Sequence, residues 1–257
     1  MILELEGVSC HFGGVRAVDG VDLGVDAGQL YGLIGPNGAG KSTLLDVISG
    51  FQPPTSGAVR FDGRDTRGMG PHHLSAAGLA RTFQAARVFR GLTALENVLV
   101  GMHPHRRDDT LQQLALLPRL RGEQRKRVEE GRQLLARVGL RGVEDRFAGS
   151  LPFGAQRRLE IARALALNPR LLLLDEPVAG MTPAEAEGIE ELLLEVNRAG
   201  LAMVLVEHHL SVVMRLCSRV AVLDFGRLIA DGEPRDVVQQ PAVMAAYLGR
   251  AAAGGDR

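Results

Sequence analysis

Cysteine is nearly absent: Cys10 and Cys217 are the only two in 257 residues, and they form no Cys-x-x-Cys pair. That pattern offers neither a disulfide framework nor a zinc site. Long hydrophobic runs are missing as well. The longest, Leu171–Leu174 and Leu201–Val206, fall far short of the ~20 residues that a membrane helix needs. Near the start, Ile2–Leu5 is interrupted by Glu4 and is too short for a signal-peptide core. The chain is therefore expected on the cytosolic side, touching a membrane only through a protein partner. Net charge is missing too. Lys+Arg and Asp+Glu both total 30, which argues against a general nucleic-acid or anionic-membrane binder.

Lysine is the scarcest of the charged residues. Of the 30 basic residues, only Lys41 and Lys126 are lysine and the rest are arginine. A lysine kept against that bias has a local reason, and for Lys41 the neighbours supply it.

The apolar content, 46%, is ample for a core, and the length suits one α/β domain with an insert. Short strand-like runs come first: Ile2–Leu5, Val21–Val25, Leu30–Ile34 and Ala58–Phe61, divided by Gly-rich turns. From about Ser75 to Leu167 the pattern reads mostly helical, with Leu111–Leu117 and Glu123–Val138 as its clearest pieces. Between His103 and Arg146 there are 11 Lys/Arg against 7 Asp/Glu, read as a solvated helical face. Thereafter apolar strands (Leu171–Leu174, Met203–Val206, Val220–Leu223) alternate with helices (Pro183–Arg198, Ser211–Leu216). That alternation predicts a mainly parallel sheet with helices on both faces. One domain is expected over residues 1–250, with a helical subdomain over about 86–165 and a frayed tail at Ala251–Arg257.

Three stretches carry chemistry. Gly35-Pro36-Asn37-Gly38-Ala39-Gly40-Lys41-Ser42 satisfies GxxxxGK[ST], follows the run Leu30–Ile34 and opens a helical segment. The glycines let the backbone wrap an anion, and the N–H groups of Asn37 to Lys41 and the helix N-terminus face phosphates. Lys41 is expected at the outer phosphates of ATP, Ser42 on Mg²⁺, and Thr43 as a second hydroxyl nearby. The second stretch is Leu171–Leu174 followed by Asp175-Glu176-Pro177. It places two acids at the carboxyl end of a buried strand, where open α/β sheets hold ligands. Asp175 is a candidate Mg²⁺ residue, and Glu176 a candidate base for the attacking water.

The third stretch runs from Leu151-Pro152-Phe153-Gly154-Ala155-Gln156 through Arg157-Arg158-Leu159-Glu160 to Ile161-Ala162-Arg163-Ala164-Leu165. It resembles the signature of ABC ATPases and lies the usual distance before the acids. The resemblance implies a P-loop NTPase (RecA-like) core with a mainly parallel sheet, an N-terminal antiparallel β subdomain and an inserted α-helical subdomain. It also implies head-to-tail pairing, in which the signature of one subunit covers the ATP of the other. Here the sequence departs from the common form. Pro152 stands where a serine usually contacts the γ-phosphate, and Ala155 replaces the usual glutamine. The trans contact then rests on Gly154, Ala155, the helix end and Gln156.

Other roles come from the same resemblance. Gln84, in Arg81-Thr82-Phe83-Gln84, matches the glutamine that joins Mg²⁺ and water to the helical subdomain. His208 matches the switch histidine at the γ-phosphate, with His209 beside it. Phe12 matches the aromatic that stacks on adenine, and Val18 a second apolar contact. Ala179-Gly180-Met181-Thr182 occupies the loop that crosses the dimer interface, but Thr182-Pro183-Ala184-Glu185 also reads as a helix capping box.

Within the ABC family the chain is similar to the ATP-binding subunits of branched-chain amino acid importers. The likeness rests on Ala80–Gln84, Leu92-Thr93-Ala94-Leu95-Glu96-Asn97-Val98, Leu151–Gly154, Glu207-His208-His209, the Ala245–Gly249 ending and an insert from Gly101 to about Gln124. This implies integral-membrane permease partners, a solute-binding protein, and a homo- or hetero-dimer of ATPase subunits, with no nucleic acid. A coupling helix of the permease is expected in a groove beside Gln84 and Arg87–Gly101. The alternatives are a lipopolysaccharide-type export ATPase, a soluble ABC ATPase acting on nucleic acid or ribosomes, and an unrelated P-loop kinase.

Overall fold

The computed structural model describes residues 1–84, 87–102 and 117–253. Its N-terminal part is built on alternation. Strands β1 (Leu3–Phe12) and β2 (Val15–Val25) pair antiparallel and bury Leu3, Leu5, Val8, Val21 and Val25. Strand β4 (Ser56–Phe61) pairs on the other edge of β1 and β5 (Arg64–Asp65) on β4, giving the order β2-β1-β4-β5.

The second sheet is the frame of the site. Its order is β10-β9-β3-β8-β7-β6, from β3 (Leu30–Ile34), β6 (Leu79–Arg81), β7 (Leu171–Asp175), β8 (Ala202–Val206), β9 (Arg219–Asp224) and β10 (Arg227–Gly232). All neighbours run parallel except the β9/β10 pair. The two faces read off the strands with period two. Tyr31, Leu33, Leu171, Leu173 and Val204 join one core, with α1 (Lys41–Ile48) and the antiparallel sheet. Ile34, Leu172, Leu174, Met203 and Leu205 join the other, under α3 (Ala94–Gly101), α4 (Leu117–Arg137), α5 (Phe153–Leu165), α6 (Pro183–Arg198) and α7 (Leu210–Leu216). Both faces of β7 are thus covered, which is why its sequence is a run of leucines rather than an alternation.

Several boundaries differ from expectation. The stretch from Ser75 is not continuously helical: α2 (Pro71–Ala76) ends early, and β6 follows as the edge strand beside β7. Three residues are too few to show a period. Strand β10, α8 (Pro234–Val237) and α9 (Pro241–Ala253) add to the expected elements; α9 runs through residues 251–253, where a frayed tail is expected, and residues 254–257 lie outside the described part. The helix expected at Leu111–Leu117 also lies outside it, apart from Leu117. Arg125 and Lys126 of α4 are exposed, as a solvated face requires.

Asn97 holds the irregular segment before α3. Its side chain is 0% exposed; Oδ1 accepts from the Phe89 N–H at 2.8 Å, and Nδ2 donates to the carbonyls of Phe89 at 3.0 Å and Thr93 at 2.9 Å. Asn97→Ala leaves those buried groups without partners and is expected to lower the unfolding free energy by about 2 kcal/mol, read from denaturant melts.

Candidate functional site

Four adjacent parallel strands, β3, β8, β7 and β6, end at one edge of the sheet. From β3 comes the loop Gly35–Gly40, which leads into α1 at Lys41. Gly40 has φ +105°, and a Cβ there would lie 2.2 Å from the Ala17 carbonyl oxygen of β2. Only glycine fits that approach. Gly38, at φ +78°, has nothing within 4 Å of where its Cβ would stand, so its glycine is needed for the left-handed backbone and not for space. Lys41 is only 7% exposed, and its ammonium donates to the carbonyls of Gly35 at 2.7 Å and Pro36 at 3.0 Å. The Ala39 N–H donates to the Pro36 carbonyl at 3.1 Å, while Asn37 and the Ser42 hydroxyl-bearing side chain are exposed and Thr43 is half-buried. A buried cation in a glycine cradle beside a helix N-terminus is the donor set that a polyphosphate needs.

Strand β7 delivers Asp175 and Glu176. Burial pushes the Asp175 carboxyl above the usual carboxylate range, and the charge of Arg81 opposes that shift. Arg81 comes from β6 and reaches Asp175 at 3.7 Å, Asp46 at 2.6 Å and the Ser49 hydroxyl at 2.8 Å. A desolvated carboxylate with the charge of Lys41 in its surroundings fits a divalent cation, which would favour the charged form. Glu176 has φ +46°, a left-handed conformation that costs a non-glycine residue and recurs at functional sites.

Around Glu176 the structure gathers residues from three strand ends. Gln84, beyond β6, donates its Nε2 hydrogen to Glu176 Oε2 at 3.0 Å. His208, beyond β8, brings Nδ1 to 3.5 Å from Glu176 Oε1. Glu207 lies beneath His208: its Oε2 accepts from the His208 N–H at 3.3 Å and stands 3.5 Å from His209 Nδ1. Burial raises the Glu207 pKa, and the two histidines oppose the rise.

The signature stretch opens α5. Pro152 occupies the N-cap position of that helix, as a lead-in. Gly154 is buried against Glu185, and the Gln156 side chain donates to the Leu151 carbonyl at 2.8 Å. Gln156 is therefore turned back on its own loop rather than outward, and Ala155 is half-buried against the core. Thr182 caps α6 in a full capping box with Glu185, with Pro183 following.

One expectation is corrected. Val18 is 0% exposed in the core of the antiparallel sheet, opposite Cys10, and has no surface to offer a ligand. Phe12, at the end of β1, is 49% exposed. The buried pair Arg157 and Glu160 and the bridging Arg81 were missed. Arg81 lies in the stretch Arg81-Thr82-Phe83-Gln84, and nothing in the sequence ties it to Asp46 or Asp175.

A glycine-rich loop with a buried lysine after β3, acids at the end of β7 and a glutamine and histidine beyond the flanking strands are the arrangement of a P-loop nucleoside triphosphatase. Residues 18–179 match the family described as ABC transporter, and residues 227–253 the one described as branched-chain amino acid ATP-binding cassette transporter. The chain is 40% identical over 251 residues to the high-affinity branched-chain amino acid transport ATP-binding protein BraF of Pseudomonas aeruginosa, covering 97% of this chain and 98% of that one. It is 36% identical, at the same coverage, to LivG of Escherichia coli, which carries the same description. A nucleotide-free ATP-binding cassette of an ABC transporter superposes with TM-score 0.83 at 33% identity, covering 96% of this chain and 98% of that one. The ADP conformation of the cassette MJ1267 superposes at 0.82 with 32% identity and the same coverage. The chain belongs to the ABC transporter ATP-binding family and is an ABC ATPase.

Proposed function

We propose that this protein energises the import of branched-chain or closely related amino acids through integral-membrane permease subunits, fed by a solute-binding protein. The single observation that carries the reading is the likeness over 97% of the chain to branched-chain amino acid transport ATP-binding proteins. The match of residues 227–253 to the branched-chain cassette family adds support. The chain acts from the cytosolic face of the membrane, as one of two paired ATPase subunits. Among the described residues no helix is long and apolar enough to cross a membrane. Residues 1–250 form one domain, in which about 86–165 is the helical subdomain.

In the proposed mechanism the N–H groups of residues 37–41 and the Lys41 ammonium hold the phosphates of ATP, with the Ser42 and Thr43 hydroxyls beside them. Phe12 packs on the base. Mg²⁺, which neutralises phosphate charge, would be held by Ser42 and Asp175, with Gln84 nearby. Glu176 takes the proton from the water that attacks the γ-phosphate, and Gln84 and His208 hold Glu176 and the phosphate end in place. Gly154, Ala155 and the N-terminus of α5 cover the nucleotide of the paired subunit. Gln156 supports that surface through its bond to Leu151.

The permease docks in a groove of about 600 Å³ whose lining includes Phe83, Arg87, Val88, Phe89, Val100 and Arg163. Phe89 and Val100 are exposed apolar side chains there, as a docking surface for an amphipathic helix requires. Affinity capture from membranes is expected to recover a polytopic permease. Val100→Asp is expected to reduce that recovery about tenfold while leaving ATP binding intact. Recovery of ribosomes or nucleic acid instead would overturn the reading.

A further inference from the structure

We propose that the buried pair Arg157–Glu160 is a positioning element, through which the groove that receives the permease acts on Gln84, Glu176 and the signature helix together. The proposal rests on the transport-ATPase reading above.

Arg157 is 2% exposed and Glu160 is 1% exposed, one turn apart on α5. They face each other, with Arg157 Nη1 donating to Glu160 Oε2 at 3.0 Å. A buried ion pair is weak evidence of a stabilising role in itself, because desolvation offsets the attraction. What distinguishes this one is where its remaining donors and acceptors go. Arg157 Nη1 also donates to the Phe83 carbonyl, and Nη2 donates to the Gln84 carbonyl. Nη2 further approaches the Glu176 carbonyl at 3.5 Å. Glu160 Oε1 accepts from the Phe83 N–H at 3.2 Å and the Arg87 N–H at 3.3 Å.

Every one of those partners is backbone, and each belongs to a segment with a task. Phe83, Gln84 and Arg87 lie between β6 and α3 without regular structure, so no strand or helix ladder satisfies their polar groups. The pair on α5 replaces the ladder. Phe83 and Arg87 also line the groove. Gln84 sends its side chain to Glu176, and α5 begins with the signature residues. A shift of the groove lining therefore moves the glutamine, the base and the signature as one unit. The planar guanidinium suits this task because its fork reaches the carbonyls of two successive residues, which a lysine ammonium cannot copy.

The test uses the full-length chain, alone and reassembled with its permease. The double variant Arg157→Gln/Glu160→Gln removes both charges at once, so neither is stranded. Arg157→Lys keeps the charge and removes the fork. The expected result is a cooperative melt, an ATP Kd within about threefold of the parent, and kcat lowered about tenfold. KM is unchanged, and stimulation by the permease is lost. A merely structural role would lower Tm and leave the kcat of the folded protein intact. If the double variant does not fold, Arg157→Lys decides: lowered kcat at unchanged Kd supports the proposal. A folded variant with parental kcat and parental stimulation overturns it. If the parent itself shows no stimulation by the permease, the transport reading fails, and the kcat of the isolated chain still decides the role of the pair.

Discussion

Glu176→Gln is expected to bind ATP as tightly as the parent and to hydrolyse it at least about a hundredfold more slowly, the usual contribution of a positioned general base. The geometry explains why the loss should fall on turnover rather than on binding. Glu176 sits past the end of β7 in a left-handed backbone conformation, with φ +46°. Its carboxylate is held on one side by the Gln84 amide at 3.0 Å and on the other by His208 at 3.5 Å. Glutamine has the same shape and can keep a hydrogen bond to the Gln84 amide, so the loop keeps its form. It cannot accept the proton of the attacking water. Lys41, the glycine loop and Asp175 are untouched, so nucleotide affinity stays. Phosphate release and nucleotide binding, measured on the same preparation, check both halves. Phosphate release within about threefold of the parent would remove Glu176 from the role of base.

Lys41→Ala is expected to act the other way, with the Kd for ATP rising at least about thirtyfold, or roughly 2 kcal/mol, the cost of losing a buried charge contact. Lys41 is 7% exposed, and its ammonium is held by two carbonyls of its own loop, at 2.7 and 3.0 Å. The Pro36 carbonyl keeps the Ala39 N–H as a donor once the side chain is gone, so folding is expected to persist. Lys41→Arg is expected not to restore affinity. A guanidinium is a broad planar fork, and this site is shaped for a compact point charge. That matches the chain's composition, in which almost every other basic residue is arginine. Isothermal titration with ATP separates the outcomes, and an unchanged Kd in Lys41→Ala would mean that the loop does not hold the phosphates.

The parts of the site that were legible in advance are those in which function and local structure share one short stretch. The loop Gly35–Ser42 needs its glycines for backbone reasons and its lysine for charge, so the pattern survives in one dimension. The leucines of β7 announce a strand covered on both faces, and Asp175 and Glu176 then fall at its end. Thr182-Pro183-Ala184-Glu185 writes its own capping box, and the structure contains it. What stayed hidden depends on residues far apart in sequence. Arg81 reaches Asp46 and Asp175, and Arg157 reaches the carbonyls of Phe83 and Gln84. Three-residue β6 shows no period, yet it sets the sheet edge from which Gln84 extends. The resemblance places Val18 beside Phe12 at the base, but resemblance does not show which face of a strand a residue occupies; its pairing with Cys10 puts it in the core. The left-handed backbone of Glu176 has no sequence signature, since nothing about a glutamate announces positive φ.

Coupling to transport is measured as ATP hydrolysis by the complex reconstituted in lipid vesicles with its permease, as the solute-binding protein is added empty or loaded. Binding protein loaded with leucine, isoleucine or valine is expected to raise the rate several-fold over the empty protein. The Glu176→Gln complex is expected to show no such rise. A rate indifferent to loaded binding protein, or raised by lipopolysaccharide instead, would contradict the proposed import.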